Sequence, residues 1–193
     1  MNYEVRLEYD SDAESPCKYG DWEIVSFCDR HVNFQDPFKY LGPRDEFGDP
    51  TPATIGMRRK LDVGSAFILS CYQHSGTVWS LRGEGMQCRW DTADVGGLII
   101  SKNAKFLPKD YEKRKEYARN FLGSYNTWVN GEYYQFSIYD EDGLYVEGCC
   151  GYDDPDYMMA CVWDYMPVDY EEVEFTGEAA WAADRFEQKR KSA

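Results

Sequence analysis

Between Asn120 and Asp184 the chain carries fifteen Asp and Glu residues and no Lys or Arg, yet the same stretch is crowded with Tyr, Trp and Phe. A like-charged run poor in apolar residues stays disordered, because it buries too little surface to offset the entropy of ordering. The aromatics reverse that expectation. Runs such as Tyr133–Tyr139 and Met158–Trp163 can bury area worth roughly 25 cal/mol per Å², so the stretch is predicted to fold with its carboxylates projecting. It accounts for the whole net charge of −14. Such a surface repels nucleic acid and attracts a basic partner.

The 193 residues suit a single globular domain, 1–193, with ample material for one core. No apolar run approaches the about 20 residues of a membrane span. The segment Met1 to Tyr9 lacks the basic-then-apolar layout of a signal peptide, so a cytoplasmic protein without a membrane partner is expected. Seven cysteines, at 17, 28, 71, 88, 149, 150 and 161, form an odd set without CxxC spacing. They read as free thiols, with Cys71, Cys88 and Cys161 as small buried hydrophobes. Nothing in the spacing of His31 and His74 asks for a metal or a cofactor.

Tyr3, Val5, Leu7 and Tyr9 alternate with Asn2, Glu4, Arg6 and Glu8, the period of a half-buried strand. A second strand is predicted over Trp22–Cys28. The Pro- and Gly-rich segment 29–62 is predicted to be an irregular loop or two short helical turns. Ser65–Tyr72 and Thr77–Leu81 read as a hairpin around His74-Ser75-Gly76, and the continuous apolar run of Val95–Ser101 reads as a central strand. Pro108 is placed at the start of a central helix (about 108–122) with Gly123 closing it. Strands at Glu132–Tyr139 and Leu144–Gly148 flank an Asp-Gly turn, and a C-terminal helix (about 178–191) ends in Lys189, Arg190 and Lys191. The fold class predicted is α+β, a mainly antiparallel sheet with hairpins.

Four fragments stand out together: Tyr9-Asp10 with Ala13-Glu14-Ser15-Pro16, then Tyr72–Gly76, then Cys88-Arg89-Trp90-Asp91 with Val95-Gly96, and Ile138–Gly143 with Gly148–Tyr152. In this order they resemble a family of small phage and mobile-element accessory proteins. The family patterns they match are YDxxAESP, YDHSG, CxWDSGQVG and a late EDxDG followed by CWGF. Gln73, Thr92-Ala93-Asp94 and Cys150 depart from them. The resemblance covers roughly residues 9 to 152. It implies an accessory protein in the host cytoplasm that acts on host defence or regulation.

Three constellations carry chemistry. His74, Ser75 and Asp91 contain the residue types of a hydrolytic triad, with Trp90 as a ligand platform, although no Gly-x-Ser-x-Gly elbow is present. The same His-Ser-Gly also makes a good turn. Asp140-Glu141-Asp142 and Asp153-Asp154-Pro155-Asp156 bring oxygen ligands together without the spacing of a calcium loop, so turn chemistry is expected and no metal is assigned. The acidic surface is the remaining candidate. Asp140, Glu141, Asp142, Asp153, Asp154, Asp156, Asp169, Glu171, Glu172 and Glu174 are the expected contacts to a basic host protein such as a defence nuclease. Carboxylates spread in this way imitate duplex phosphates. The sequence therefore points to a non-enzymatic counter-defence inhibitor of anti-restriction or anti-CRISPR type, working as a DNA mimic with no cofactor. The alternative is a small hydrolase or nucleotide-binding enzyme built on His74, Ser75, Trp90 and Asp91.

Overall fold

In a computed structural model, which describes residues 2–29, 31, 33–166 and 172–192, the alternating first segment forms strand β1 (Asn2–Tyr9). Helix α1 (Pro16–Tyr19) and strand β2 (Trp22–Ser26) follow. The segment expected to be irregular holds a 3-10 turn (Pro37–Lys39), the ribbon strands β3 (Leu41–Arg44) and β4 (Pro50–Pro52), and helix α2 (Ile55–Asp62), which Thr54 caps. Next come β5 (Ala66–Gln73), β6 (Thr77–Leu81), β7 (Thr92–Ser101) and α3 (Tyr111–Val129). The acidic part supplies β8 (Tyr134–Tyr139), β9 (Tyr145–Tyr152), α4 (Pro155–Tyr165), β10 (Glu172–Thr176) and α5 (Trp181–Ser192). The fold is α+β with antiparallel pairing dominant.

The chain divides into two compact units. The first joins Met1–Glu14 to Thr127–Ala193, and the second is Ser15–Asn126.

In the first unit the sheet order is β10-β1-β8-β9, with β10 parallel to β1 and the other pairs antiparallel. Tyr3, Val5, Leu7, Phe136 and Ile138 point to one face and are buried with Met158, Met159 and Val162 of α4 and Ala182 and Ala183 of α5. The other face of β1, Asn2, Glu4, Arg6 and Glu8, has no buried residue. That is why β1 alternates: only one of its faces is covered.

The second sheet, β2-β7-β5-β6, is covered on both faces. Trp22 and Phe67 meet Tyr117 and Tyr111 of α3 on one side. Val25, Ala66 and Leu98 pack with Met57 of α2 on the other. Strand β7 lies in its interior, as its unbroken apolar run predicts. Gly97 is required there, since a Cβ would stand 2.4 Å from the Val25 carbonyl oxygen.

Two helix boundaries differ from the sequence reading. Helix α3 begins at Tyr111, with the Asp110 carboxylate accepting from Lys113 N, while Pro108 lies outside and its carbonyl accepts from the Arg114 guanidinium. It also runs through Gly123 to Val129. Burial of Leu122 and Tyr125 on one face outweighs the roughly 1 kcal/mol that an interior glycine costs a helix. No helix among the described residues is long and apolar enough to cross a membrane.

Candidate functional site

His74 and Asp91 do meet. The tip of the β5–β6 hairpin is held against the loop before β7 by Gln73 N donating to Asp91 O (2.8 Å), and His74 Nδ1 stands 3.7 Å from Asp91 Oδ2. The Cys88 thiol donates to the same carboxylate oxygen at 3.3 Å. Asp91 thus lies between thiol and imidazole, whereas a nucleophilic relay needs the imidazole between nucleophile and carboxylate. Ser75 is exposed and has no bond to His74 among the described residues. Trp90 projects outward, 84% exposed, with the Arg89 guanidinium 5.2 Å above its ring. The arrangement ties a hairpin tip to a neighbouring loop rather than assembling a closed pocket. The other histidine, His31, is buried and packs edge-on against Trp79, with ring centroids 5.0 Å apart. All seven cysteines are free, Cys71 buried and Cys88 and Cys161 half-buried.

The motif fragments fall into two groups. Tyr72–Gly76 and Cys88–Asp91 meet at that hairpin tip. In the other unit, buried Asp10 accepts from Asp12 N (3.1 Å) and Gly151 N (3.0 Å), and Trp128 Nε1 donates to Ala13 O at 2.8 Å. Gly151 has a φ of +83°, which a side chain resists. In this chain these residues hold backbone in place.

The acidic residues divide by role. Asp140 accepts from Asp142 N (3.0 Å) and Leu144 N (2.9 Å) and so builds the hairpin turn. Asp154 caps α4 by accepting from Asp156 N at 2.9 Å, with Pro155 in the first helical turn, where turn chemistry alone was expected. Asp156 is half-buried and paired with Arg185 (3.1 Å) and Lys189 of α5, whose hydrogen bond and charge hold its carboxyl below the usual range. Asp156 is thus engaged by two cations within the fold. Glu141, Asp142 and Asp153 are exposed. Asp169 and Glu171 lie outside the described residues.

Glu172 and Glu174 project from β10 on the uncovered sheet face, where Glu174 is the register partner of Glu4 and Glu172 that of Asn2. Glu4 and Glu8 were absent from the expected contacts. The alternation of β1 put them on the polar face, but nothing local in the sequence announces that β1 pairs with β10. Glu4 accepts from Thr176 Oγ1 at 2.7 Å and from Arg6 at 3.3 Å, and the Thr176 hydroxyl lowers its pKa most. Arg6 also lies 5.0 Å over the Tyr139 ring.

Comparison with protein-family models, with curated proteins and with solved structures finds no match. The site must be judged on its own electrostatics.

Those are sharply divided. The first unit holds 21 acidic and 5 basic residues, net −16, and the second holds 14 acidic and 16 basic, net +2. Among the described residues no group of three or more His, Cys, Asp and Glu side chains is placed to hold a metal ion.

Proposed function

We propose that the chain is a phage or mobile-element accessory protein that binds a basic host protein through the open sheet face of its acidic unit. The observation that carries this reading is the side-by-side placement of Glu4 with Glu174, and of Glu172 and Glu8 on the same uncovered face, with Arg6 as the one cation there among the described residues. Like charges at adjacent register positions oppose pairing, so a sheet that keeps them exposed is shaped for an opposite charge. Glu172 and Glu174 stand about 6.7 Å apart along β10, and Glu4 and Glu8 flank Arg6 on the adjoining β1, a cluster of carboxylates that a nuclease groove could accept in place of phosphates. Counter-defence inhibition by DNA mimicry follows from that match and from the motif resemblance.

The test is capture from host lysate by the wild-type chain and by a variant combining Glu4→Gln, Glu8→Gln, Glu172→Gln and Glu174→Gln, at about 50 and about 200 mM salt. A basic protein held by the wild type should be lost from the variant, lost at the higher salt, and displaced by duplex DNA. Capture that ignores both the variant and the salt overturns the reading. The hydrolase alternative has the meeting of His74 and Asp91 in its favour. It requires ester or phosphoester turnover that His74→Ala abolishes.

A further inference from the structure

The second unit carries cations that its own acids do not compensate. Glu84 is shared by Arg119 (2.7 Å) and Lys115 (3.1 Å), and Arg82 is gripped by Asp49 (2.8 Å) and Asp94 (2.9 Å). Arg58, Arg59, Lys60, Lys105, Lys109 and Lys113 are exposed and, among the described residues, form no ion pair. They occupy adjoining elements, because Arg114 Nη1 donates to the carbonyl of Val63, the residue that caps α2, at 2.7 Å. The C-terminal turn of α2 therefore meets the N-terminal turn of α3. Asp62, Asp110 and Glu112 are the acids interspersed there, and Asp110 is committed to capping Lys113 N.

Two features set this patch apart from an ordinary solvated surface. Lys109 and Lys113 stand at the start of α3, where the helix dipole disfavours positive charge. They add to the positive end of the helix instead of offsetting it. Between Lys105 and Lys109, Phe106 is 73% exposed, presented by a turn in which Asn103 accepts from Lys105 N (3.2 Å) and from Phe106 N (3.2 Å), while Leu107 beside it is buried as the anchor. An aromatic face flanked by lysines is the arrangement that stacks an unpaired base while the lysines follow its phosphates. A lipid surface would want a broad apolar face, and α2, eight residues long, turns Met57 inward and exposes Arg58, Arg59 and Lys60 with Ile55 as its one strongly exposed apolar side chain.

We infer that the α2–α3 end of the second unit is a binding surface for single-stranded nucleic acid, with Phe106 as its stacking platform and Lys105, Lys109, Lys113 and the α2 cations on the phosphates. The net charge of the whole chain argues against a nucleic-acid partner, but at physiological salt charge is felt over only about 8 Å. The local balance governs. This inference concerns a different unit from the acidic face and stands whether or not that face binds a protein.

The experiment is fluorescence anisotropy of labelled oligonucleotides with the full chain between about 50 and about 200 mM salt. Binding of a single strand should be tighter than that of a duplex, with a slope of log K on log salt of roughly −2 to −4, as three to six phosphate contacts give. Phe106→Ala should weaken single-strand binding about tenfold with the slope unchanged. Lys105→Ala with Lys109→Ala and Lys113→Ala should reduce the slope by about 2. All four residues are exposed, and unchanged circular dichroism verifies the fold. No binding at the lowest salt, binding unaltered by both variants, or binding only to vesicles rich in phosphatidylserine would each overturn the inference.

Discussion

The two units solve opposite problems with similar parts. Each is a four-stranded sheet with helices, but one sheet is covered on a single face and the other on both. The doubly covered unit keeps acids and bases in near balance and pairs some of them, as at Glu84 and Arg82, while leaving the α2–α3 cations unpaired among the described residues. The singly covered unit has almost no cations to spare. Apart from Asp156, which Arg185 and Lys189 engage, it holds its structural carboxylates largely with backbone N–H groups: Asp10, Asp140 and Asp154 each accept from main chain. A peptide N–H satisfies a carboxylate without neutralising the surface, so a run of fifteen acids can fold and still remain anionic.

The comparison breaks most easily at a glycine in each unit. Gly177 has a φ of +92° and a Cβ there would lie 2.2 Å from Leu7 O, which already accepts from Ala179 N at 3.0 Å. Gly177→Ala should cost about 4 kcal/mol, and in hydrogen exchange β1 and β8 should lose protection while β5 and β7 keep theirs. Gly97→Ala should do the reverse, because its Cβ meets the Val25 carbonyl oxygen. If either substitution deprotects both sheets equally, the units are one cooperative body and the division is wrong.

A smaller effect tests how each unit satisfies its backbone. Asn126 closes the edge of β6 by accepting from Trp79 N (2.8 Å) and donating to Trp79 O (2.9 Å). Asn126→Ala leaves both groups unmet and should cost about 2 kcal/mol in denaturant unfolding. Asp10→Ala should cost about 1 to 2 kcal/mol, whereas Asp10→Asn, which keeps an acceptor oxygen, should cost less. An Asp10→Asn variant as damaged as Asp10→Ala would mean that charge, not hydrogen bonding, holds the carboxylate.

Much of this contrast was legible in the chain. The alternation of Tyr3 to Tyr9 and the unbroken run ending at Ile100 foretold one-sided and two-sided burial, and Asp142-Gly143 announced the hairpin, Gly143 having a φ of +73°. Helix α4 was missed because Asp153 to Asp156 satisfies turn chemistry and capping chemistry alike. Only the burial of Met158, Met159 and Val162 decides between them. The partnership of β1 with β10 is parallel and spans nearly the whole chain, so no local pattern encodes it. The open acidic face therefore stayed half visible: Glu172 and Glu174 were picked out as projecting carboxylates, and Glu4 and Glu8 beside them were not. The cationic patch was hidden by the net charge, which is a sum over two units of opposite sign.

Acid and salt should separate the units with the smallest effects. In the second unit Arg119, helped by Lys115, holds the Glu84 carboxyl at about 2, against an ordinary 4.5. A depressed carboxyl contributes its stability above the unfolded value, so the contribution is complete above about pH 4.5 and disappears as pH falls through about 2. Because the pair is largely exposed, screening leaves about 1 kcal/mol at most, which Glu84→Gln should remove at neutral pH and not at pH 2. Salt acts with opposite signs on the two units. Raising it screens the attraction between Glu84 and its cations, and also the self-repulsion of a unit with net −16. Hydrogen exchange at about 50 and about 500 mM salt should then show the β1–β8 amides gaining roughly 0.5 kcal/mol of protection and the β5–β7 amides losing a similar amount. A common sign in both sheets would mean that the charge division has no hold on stability.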